Sequence, residues 1–271
     1  MTGVEFNTKL RAGEQLLGTL LTAQTPFYSK ILGDCGLDFV FIDTEHIAIG
    51  RESLSWMCRT YAAMGVPPLV RITEPNPNAV TVALDDGASG VVAPYVEHVT
   101  QVQSLVGASK LRPLKGVRVT QLLAKQGALD EPLHGYIKNG TAGNTLIVNI
   151  ESMPAIANLD AILEVDGLDA ILIGPHDLSC SLGVPEQYGD TNFLQTVETI
   201  LTKARDAGIG AGIHFWGTME EQMRFIEMGA NLFIHKADAI FLKENLVTDL
   251  SEIRRRLGIS KDPGNSDQVN I

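Results

Sequence analysis

The segment DFVFIDTEH (residues 38–46) is the most informative about the fold, because an unbroken apolar run is followed at once by a cluster of polar side chains. A short apolar run without polar alternation is typical of a strand that is covered on both faces. The same pattern returns in TLIVNIE (residues 145–151) and in LDAILIGPHD (residues 168–177). Strands of this kind indicate a parallel sheet, in which the polar residues collect at the carboxyl ends.

Eight apolar runs alternate with amphipathic stretches along the chain. We predict strands at residues 15–21, 38–42, 68–72, 90–93, 145–150, 168–173, 209–215 and 231–235. We predict helices at residues 29–35, 51–64, 79–86, 97–106, 155–164, 192–206, 219–228 and 239–257. Eight strand–helix units in 271 residues favour an α/β fold, a (β/α)8 TIM barrel, over an open sheet.

Two segments do not fit the repeat. Residues 110–144 are rich in Gly, Pro and polar residues, and we expect them to be functional or to have some structure of their own. Residues 260–271 are polar and are predicted to form a disordered tail. The predicted domain organisation is therefore one barrel domain, residues 1–259, followed by this tail.

Composition excludes several classes of protein. The net charge of −11 argues against a nucleic-acid partner, which usually needs a basic face. Three cysteines without a CxxC pair argue against a disulfide framework or a zinc ribbon and fit a reducing compartment. The first ten residues lack the apolar region of a signal peptide, and no apolar run reaches the length of a membrane helix. We therefore expect a cytoplasmic protein without a membrane partner.

Barrel enzymes place their reactive residues at the carboxyl ends of the strands. Polar side chains follow six of the predicted strands at that end: Asp43, Glu45 and His46; Arg71; Glu151; His176 and Asp177; His214; and Lys236. The predicted amino ends carry glycines that suit turns and helix stops. The polar groups are therefore expected to meet on one face of the barrel.

Glu151 and Asp177 follow neighbouring predicted strands. Either carboxylate alone would also fit the start of a helix, where it would cap backbone amides. Together they form a pair of hard oxygen ligands, which with waters would suit Mg²⁺ or Mn²⁺ and leave positions open for a substrate. The pair predicts a metal site.

His46 and Arg71 each allow two interpretations. His46 is either a polar loop residue or a histidine whose ring is oriented, and made more basic, by Asp43 and Glu45. Arg71 ends an otherwise apolar strand, so it is either paired with a core carboxylate or facing an anionic substrate. Lys236 would permit Schiff-base chemistry, but that route needs a depressed lysine pKa, and the carboxylate pair favours a metal instead.

These segments give the chain a resemblance to a known family. DTEH at 43–46, VR at 70–71, LDDGA at 84–88, IE at 150–151 and IGPHDLS at 173–179 occur in this order and spacing in the HpcH/HpaI aldolases. The resemblance runs from about Leu17 to Leu257. It implies a (β/α)8 barrel, usually hexameric, with the last helix exchanged between paired subunits. It also implies a divalent metal, Mg²⁺, Mn²⁺ or Co²⁺, that binds pyruvate.

The resemblance assigns roles residue by residue. Glu151 and Asp177 match the metal ligands, and His46 matches the residue that transfers protons through water. Arg71 matches the arginine that stabilises the enolate oxygen, and Asp85 matches the carboxylate that partners the histidine. Backbone amides around Gly174, Pro175, His176 and Asp177 would hold the donor carboxylate.

Three features depart from the family pattern, one of them the loop GVRV at residues 116–119, where G-x-R-G or G-x-R-S is usual. Asn149 stands where a glutamine is usual; a shorter amide there would still bind substrate. His214 stands where an apolar side chain commonly contacts the donor methyl group. A histidine there would suit a hydroxyl on the donor, as in hydroxypyruvate, unless its ring turns away or caps a neighbouring loop.

The expected function is that of a metal-dependent aldolase, a carbon–carbon lyase. It would join or cleave a 2-oxo acid donor, pyruvate or hydroxypyruvate, and an aldehyde through an enolate. One alternative is a decarboxylase that acts on oxaloacetate through the same enolate. Another is a binding barrel without catalytic activity.

Overall fold

The computed structural model describes residues 1–259. Eight strands are all parallel and pair in chain order, and the last one pairs with the first to close a barrel. They are β1 Leu16–Leu21, β2 Phe39–Asp43, β3 Pro68–Arg71, β4 Gly90–Ala93, β5 Thr145–Ile150, β6 Ala170–Ile173, β7 Gly210–Phe215 and β8 Leu232–Ala237. The predicted TIM barrel is confirmed. The predicted tail, residues 260–271, lies outside the described residues.

Thirteen helices accompany the strands over residues 1–259. They are α1 Gly3–Ala12, α2 Pro26–Leu32, α3 Arg51–Ala63, α4 Pro77–Asp85, α5 Val99–Lys110, α6 Val117–Leu123, α7 Glu131–Thr141, α8 Met153–Ala157, α9 Leu159–Leu163, α10 Pro175–Ser181, α11 Thr191–Asp206, α12 Met219–Glu227 and α13 Asp238–Leu257. Within this part of the chain, no helix is both long enough and apolar enough to cross a bilayer.

The barrel has an inner and an outer apolar core, because successive side chains of a strand point to opposite faces. The outer core lies between strands and helices, and the inner core fills the barrel. Helix α1 closes the amino-terminal end, where Phe6 packs edge-to-face on Phe39 with ring centroids 5.6 Å apart. Leu10 belongs to the same core and approaches Gly210 so closely that a side chain there would collide with it. The filled barrel leaves its carboxyl end for a site.

Several predicted helices needed correction. The helix predicted at residues 29–35 begins three residues earlier, because Thr25 caps it and Pro26 suits its first turn. The helix predicted at residues 155–164 is divided into α8 and α9 at Asn158. Residues 110–144 do have structure of their own, the helices α6 and α7. Helices α1 and α10 were not predicted.

Helix α13 makes little contact with its own barrel. Its first residue, Asp238, is buried and accepts hydrogen bonds from the backbone N–H groups of Thr22, at 2.9 Å, and Ala23, at 3.0 Å. Beyond this anchor an apolar face is exposed, formed by Leu242, Leu246, Val247, Leu250, Ile253 and Leu257. Exchange of this helix between subunits remains a prediction.

Candidate active site

The carboxyl end of the barrel holds an ion pair between neighbouring strands. Asp43 ends β2 and Arg71 ends β3, and the two residues are register partners. The guanidinium donates from Nε to Asp43 Oδ1 at 2.8 Å and from Nη2 to Oδ2 at 2.5 Å. The Asp43 side chain is 1% exposed and that of Arg71 is 13% exposed. Arg71 is therefore paired with a core carboxylate, one of the two interpretations that its sequence position allowed.

Glu45 extends this ion pair towards His46. Its Oε2 lies 3.1 Å from Arg71 Nε and 3.7 Å from His46 Nε2. This oxygen is buried and makes no hydrogen bond of adequate geometry within residues 1–259. The His46 side chain is nearly half exposed. The predicted neighbourhood of Asp43, Glu45 and His46 is therefore present, with the histidine ring on the solvent side.

The charge of Arg71 controls the ionisation of Asp43. Burial raises the pKa of Asp43, but the hydrogen bonds and the charge of Arg71 more than offset this and hold the pKa below its ordinary value. Burial lowers the pKa of Arg71, and Asp43 and Glu45 raise it by more, so the guanidinium stays charged. The pair is ionised at neutral pH.

Glu151 and Asp177 approach one point beside Gly174. Ile150 and Ile173 are register partners on β5 and β6, so Glu151 and Gly174 leave the sheet side by side. A Cβ atom on Gly174 would lie 2.6 Å from Glu151 Oε2 and 3.6 Å from Asp177 Oδ2. Only glycine leaves this space free, and the two carboxylates therefore form an open cradle.

Two groups orient Glu151. The backbone N–H of Tyr95 donates to Oε1 at 2.8 Å, and the side-chain amide of Asn149 donates to Oε2 at 2.8 Å. Burial raises the pKa of Glu151, and the charges of Asp177 and Glu45 act in the same direction. Asn149 was predicted to bind substrate; its N–H instead holds Glu151, while its Oδ1 is buried without a hydrogen-bond partner in the described chain.

The donor set fits a divalent cation. The charges of Asp43, Glu45 and Glu151 act on the guanidinium of Arg71, and those of Asp177 and Glu45 act on Glu151, so four carboxylates and one arginine share this end of the barrel. No group of three or more His, Cys, Asp or Glu side chains within residues 1–259 has the geometry of a metal site. Glu151 and Asp177 would supply two carboxylate ligands and leave the other positions to water and substrate, a pattern typical of Mg²⁺.

Tyr95 is a site residue that the sequence analysis missed. It follows β4 with a φ of 54°, in the left-handed region that bulky residues avoid. Its hydroxyl hydrogen-bonds to Glu45, and this bond, together with burial and the charges of Glu45, Glu151 and Asp177, raises the pKa of Tyr95 to about 12. The left-handed backbone conformation identifies Tyr95 as a site residue in the structure, but no simple sequence pattern predicts it.

The floor of the site is the top of the inner core. The ring of Phe41 lies beneath both Arg71, whose Cζ is 5.6 Å from the ring centroid, and His214, whose centroid is 5.7 Å away. The His214 ring also packs edge-to-face on Trp216, and its Nε2 is 3.4 Å from the carbonyl oxygen of Lys236. Burial, with the charge of Arg71, lowers the pKa of His214 to about 4, so its ring is neutral at pH 7.

Two predicted residues, Asp85 and His176, have other partners within one chain. Asp85 ends α4, and its carboxylate pairs with Arg112 rather than with His46. The His176 ring lies 3.5 Å from the Glu186 carboxylate. Pro175 is the first residue of α10 and Gly174 its cap, so the amides of His176 and Asp177 are in the first turn, where no intrahelical acceptor exists.

Lys236, the alternative Schiff-base residue, also has a partner. Its Nζ donates to both carboxylate oxygens of Glu244 on α13, at 2.7 and 2.8 Å. A lysine whose Nζ is hydrogen-bonded to a carboxylate is poorly placed to act as a nucleophile. This geometry supports the preference for a metal site over a Schiff base.

Fold and site define a (β/α)8 enzyme with a carboxylate cradle at the carboxyl end of its strands. The family model of HpcH/HpaI aldolase/citrate lyase matches residues 17–238. The chain belongs to this family. Family membership makes it a carbon–carbon lyase of the aldolase type that acts on small molecules.

Several known proteins resemble the chain over nearly its whole length. A 2-keto-3-deoxy-L-rhamnonate aldolase of Salmonella gallinarum is 30% identical over 258 residues, which cover 94% of this chain and 95% of the relative. The crystal structure of an HpcH/HpaI aldolase from Desulfitobacterium hafniense superposes with a TM-score of 0.79 at 24% identity, covering 91% and 95% of the two chains. A citrate synthase superposes with a TM-score of 0.78 at 28% identity, covering 92% and 97%.

Proposed function

We propose that the protein is a class II aldolase that requires a divalent cation, joins a 2-oxo acid to an aldehyde and catalyses the reverse cleavage. The observation that carries the proposal is the cradle at Gly174, where two carboxylates converge in a site with four carboxylates and one arginine. Glu151 and Asp177 would hold the cation. When bound, a divalent cation acts as a Lewis acid on a carbonyl oxygen.

The chain's own residues prepare the donor side of the reaction. Tyr95 and Asn149 fix Glu151 through the two hydrogen bonds already described. Asp43 holds Arg71 by a two-point contact, so the guanidinium is rigid and can donate to a developing enolate oxygen without reorganising. First-turn amides at His176 and Asp177 are free to bind the donor carboxylate.

His46 is the proposed route for the proton. It lies at the solvent edge of the site, next to Glu45, where a water can pass between its ring and the donor. Removing a proton from C3 of the donor gives the enolate that attacks the aldehyde. One proton is returned to the new alkoxide oxygen, from His46 or from water that exchanges with solvent, so no other reactant is needed.

Chelation tests this proposal. Purified protein should take up deuterium at the pyruvate methyl group and form an aldol product with glycolaldehyde. Both activities should disappear with EDTA and return with Mg²⁺, Mn²⁺ or Co²⁺. Full activity in the chelated protein would contradict the proposal. Release of CO₂ from oxaloacetate with no aldol product would favour the decarboxylase, and inactivity with every donor would favour a binding barrel.

The donor pocket favours a substrate with a hydroxyl group at C3. His214 is neutral, and a neutral imidazole keeps one nitrogen as an acceptor. Asn149 Oδ1 is a second buried acceptor without a donor. Both lie at the carboxyl end of the barrel, and a hydroxyl there would satisfy an otherwise costly unpaired group. We therefore expect hydroxypyruvate to be accepted at least as well as pyruvate.

Competition between the two donors for one aldehyde tests the donor assignment. The wild type should prefer hydroxypyruvate or use both equally, and His214→Leu should shift the preference towards pyruvate. A strong preference for pyruvate that His214→Leu leaves unchanged would refute it.

The exposed apolar face of α13 supports a homo-oligomer, in which this helix packs on another copy of the chain. The family resemblance implies a hexamer. Mass determination in solution tests this, and a monomer would contradict it.

A further inference from the structure

Tyr95 holds a conformation that only its surroundings can maintain. A non-glycine residue with φ of 54° is strained, and such residues cluster at functional sites. Gln101 on α5 anchors the loop, because its side-chain oxygen accepts from the N–H groups of Glu97 and His98, both at 2.9 Å. The strained backbone directs the Tyr95 N–H onto Glu151.

The same conformation brings the Tyr95 side chain to the rim of the cradle, because its backbone N–H binds Glu151 at 2.8 Å. A hydrogen bond to Glu45, burial and the charges of Glu45, Glu151 and Asp177 raise the pKa of the phenol. Tyr95 is 53% exposed, whereas Glu151 is 6% exposed. The phenol is therefore on the solvent side of the cradle.

An aldehyde that enters this site needs a hydrogen-bond donor. Its oxygen gains negative charge as the carbon–carbon bond forms, and a rim of carboxylates would repel that charge. The guanidinium of Arg71 is already engaged by Asp43 and lies next to Glu45. The neutral O–H group of Tyr95 is half-exposed at the rim, and it can turn from Glu45 to the aldehyde oxygen as that oxygen gains charge.

We propose that Tyr95 is a catalytic residue for the acceptor half of the reaction, and that its phenol donates a hydrogen bond to the aldehyde oxygen. This inference rests on the proposed aldolase function. The phenol keeps its own proton throughout. One proton leaves C3 of the donor and one is gained by the new hydroxyl, so the reaction remains balanced.

Tyr95→Phe separates the two halves of the reaction. It keeps the backbone N–H that holds Glu151 and removes only the hydroxyl. Deuterium uptake by pyruvate needs no aldehyde, so it should stay within about twofold of the wild type. The kcat/KM for glycolaldehyde should fall by about tenfold or more, as for loss of a donor to a developing oxyanion. Titration with Mn²⁺ alone should give an unchanged dissociation constant.

Two further variants make the result specific. Tyr136 is an exposed tyrosine on α7, and Tyr136→Phe should leave both rates unchanged. Tyr95→Gly removes the strained side chain but keeps the N–H, so it should lose aldol formation while retaining exchange.

Three results would overturn the proposal. Unchanged aldol formation in Tyr95→Phe would show that the phenol has no role in the reaction. An equal loss of exchange and aldol formation would place Tyr95 on the donor side. A wild type without exchange or aldol formation would refute the aldolase function itself, and the acceptor role with it.

Discussion

Replacement of Arg71 by methionine should destabilise the barrel as well as inactivate it. Methionine fills much of the same volume but leaves Asp43, 1% exposed, and Glu45, 8% exposed, without their cation. Breaking a buried ion pair by removing one partner typically costs about 3–5 kcal/mol. That is a large part of the roughly 5–15 kcal/mol that stabilises an ordinary domain. Arg71→Met should therefore fold, but with a much smaller free energy of unfolding.

Urea unfolding followed by tryptophan fluorescence measures the effect. Arg118 is exposed on α6, and Arg118→Met is the control that should change the free energy of unfolding by less than about 0.5 kcal/mol. The double variant Asp43→Asn with Arg71→Met should recover part of the loss, because one buried charge is removed with its partner. If Arg71→Met unfolds within about 0.5 kcal/mol of the wild type, the pair does not stabilise the fold and this reasoning fails.

Four further changes test other parts of the site. The pKa of His214 lies near 4 in the folded protein and near 6.5 in the unfolded chain, so the unfolded chain binds more protons between these values. The free energy of unfolding should therefore fall on acidification through this window, by up to about 1.4 kcal/mol per pH unit. Urea unfolding at several pH values should show that the free energy of unfolding depends less steeply on pH in His214→Leu. The same dependence in both proteins would contradict the lowered pKa of His214. His46→Ala should slow deuterium uptake at the pyruvate methyl group by about a hundredfold or more, and an unchanged rate by NMR would place the base elsewhere. Gly174→Ala should weaken Mn²⁺ binding in a calorimetric titration, because the new Cβ would lie 2.6 Å from Glu151 Oε2; full affinity would disprove the cradle. Asp85→Asn should lower aldol activity if Asp85 partners the proton-transferring histidine, as the family resemblance implies, and unchanged kcat would show that Asp85 is not part of the site.

The sequence was sufficient to predict the barrel, because the hydrophobic periodicities of strands and helices are local properties of the sequence. The predicted strand 90–93 and the predicted strand 145–150 coincide with β4 and β5. The short helices were missed because caps rather than periodicity define them. Thr2 and Glu5 form a capping box that starts α1, and Pro175 starts α10.

Part of the candidate site was predictable from the sequence, but its pairings and Tyr95 were not. Strand ends identified Glu151, Asp177 and Arg71 as neighbours, since carboxyl ends of parallel strands meet. The Asp43–Arg71 pair depends on the register of β2 and β3, and a slip of one residue would turn one side chain away. The position of Tyr95 in the site depends on a left-handed backbone conformation that its loop imposes. Hydrophobic periodicity in the sequence does not predict such a conformation.

Direct binding of Mn²⁺ tests the central claim, that Glu151 and Asp177 form a site for a divalent cation. Chelated protein is titrated with Mn²⁺ and followed by calorimetry, beside Glu151→Gln, Asp177→Asn and the control Glu198→Gln on the exposed side of α11. We predict one Mn²⁺ per chain for the wild type and for Glu198→Gln, and affinity reduced by about tenfold or more in each cradle variant. Equal affinity in all four proteins, or no binding by the wild type, would contradict the account.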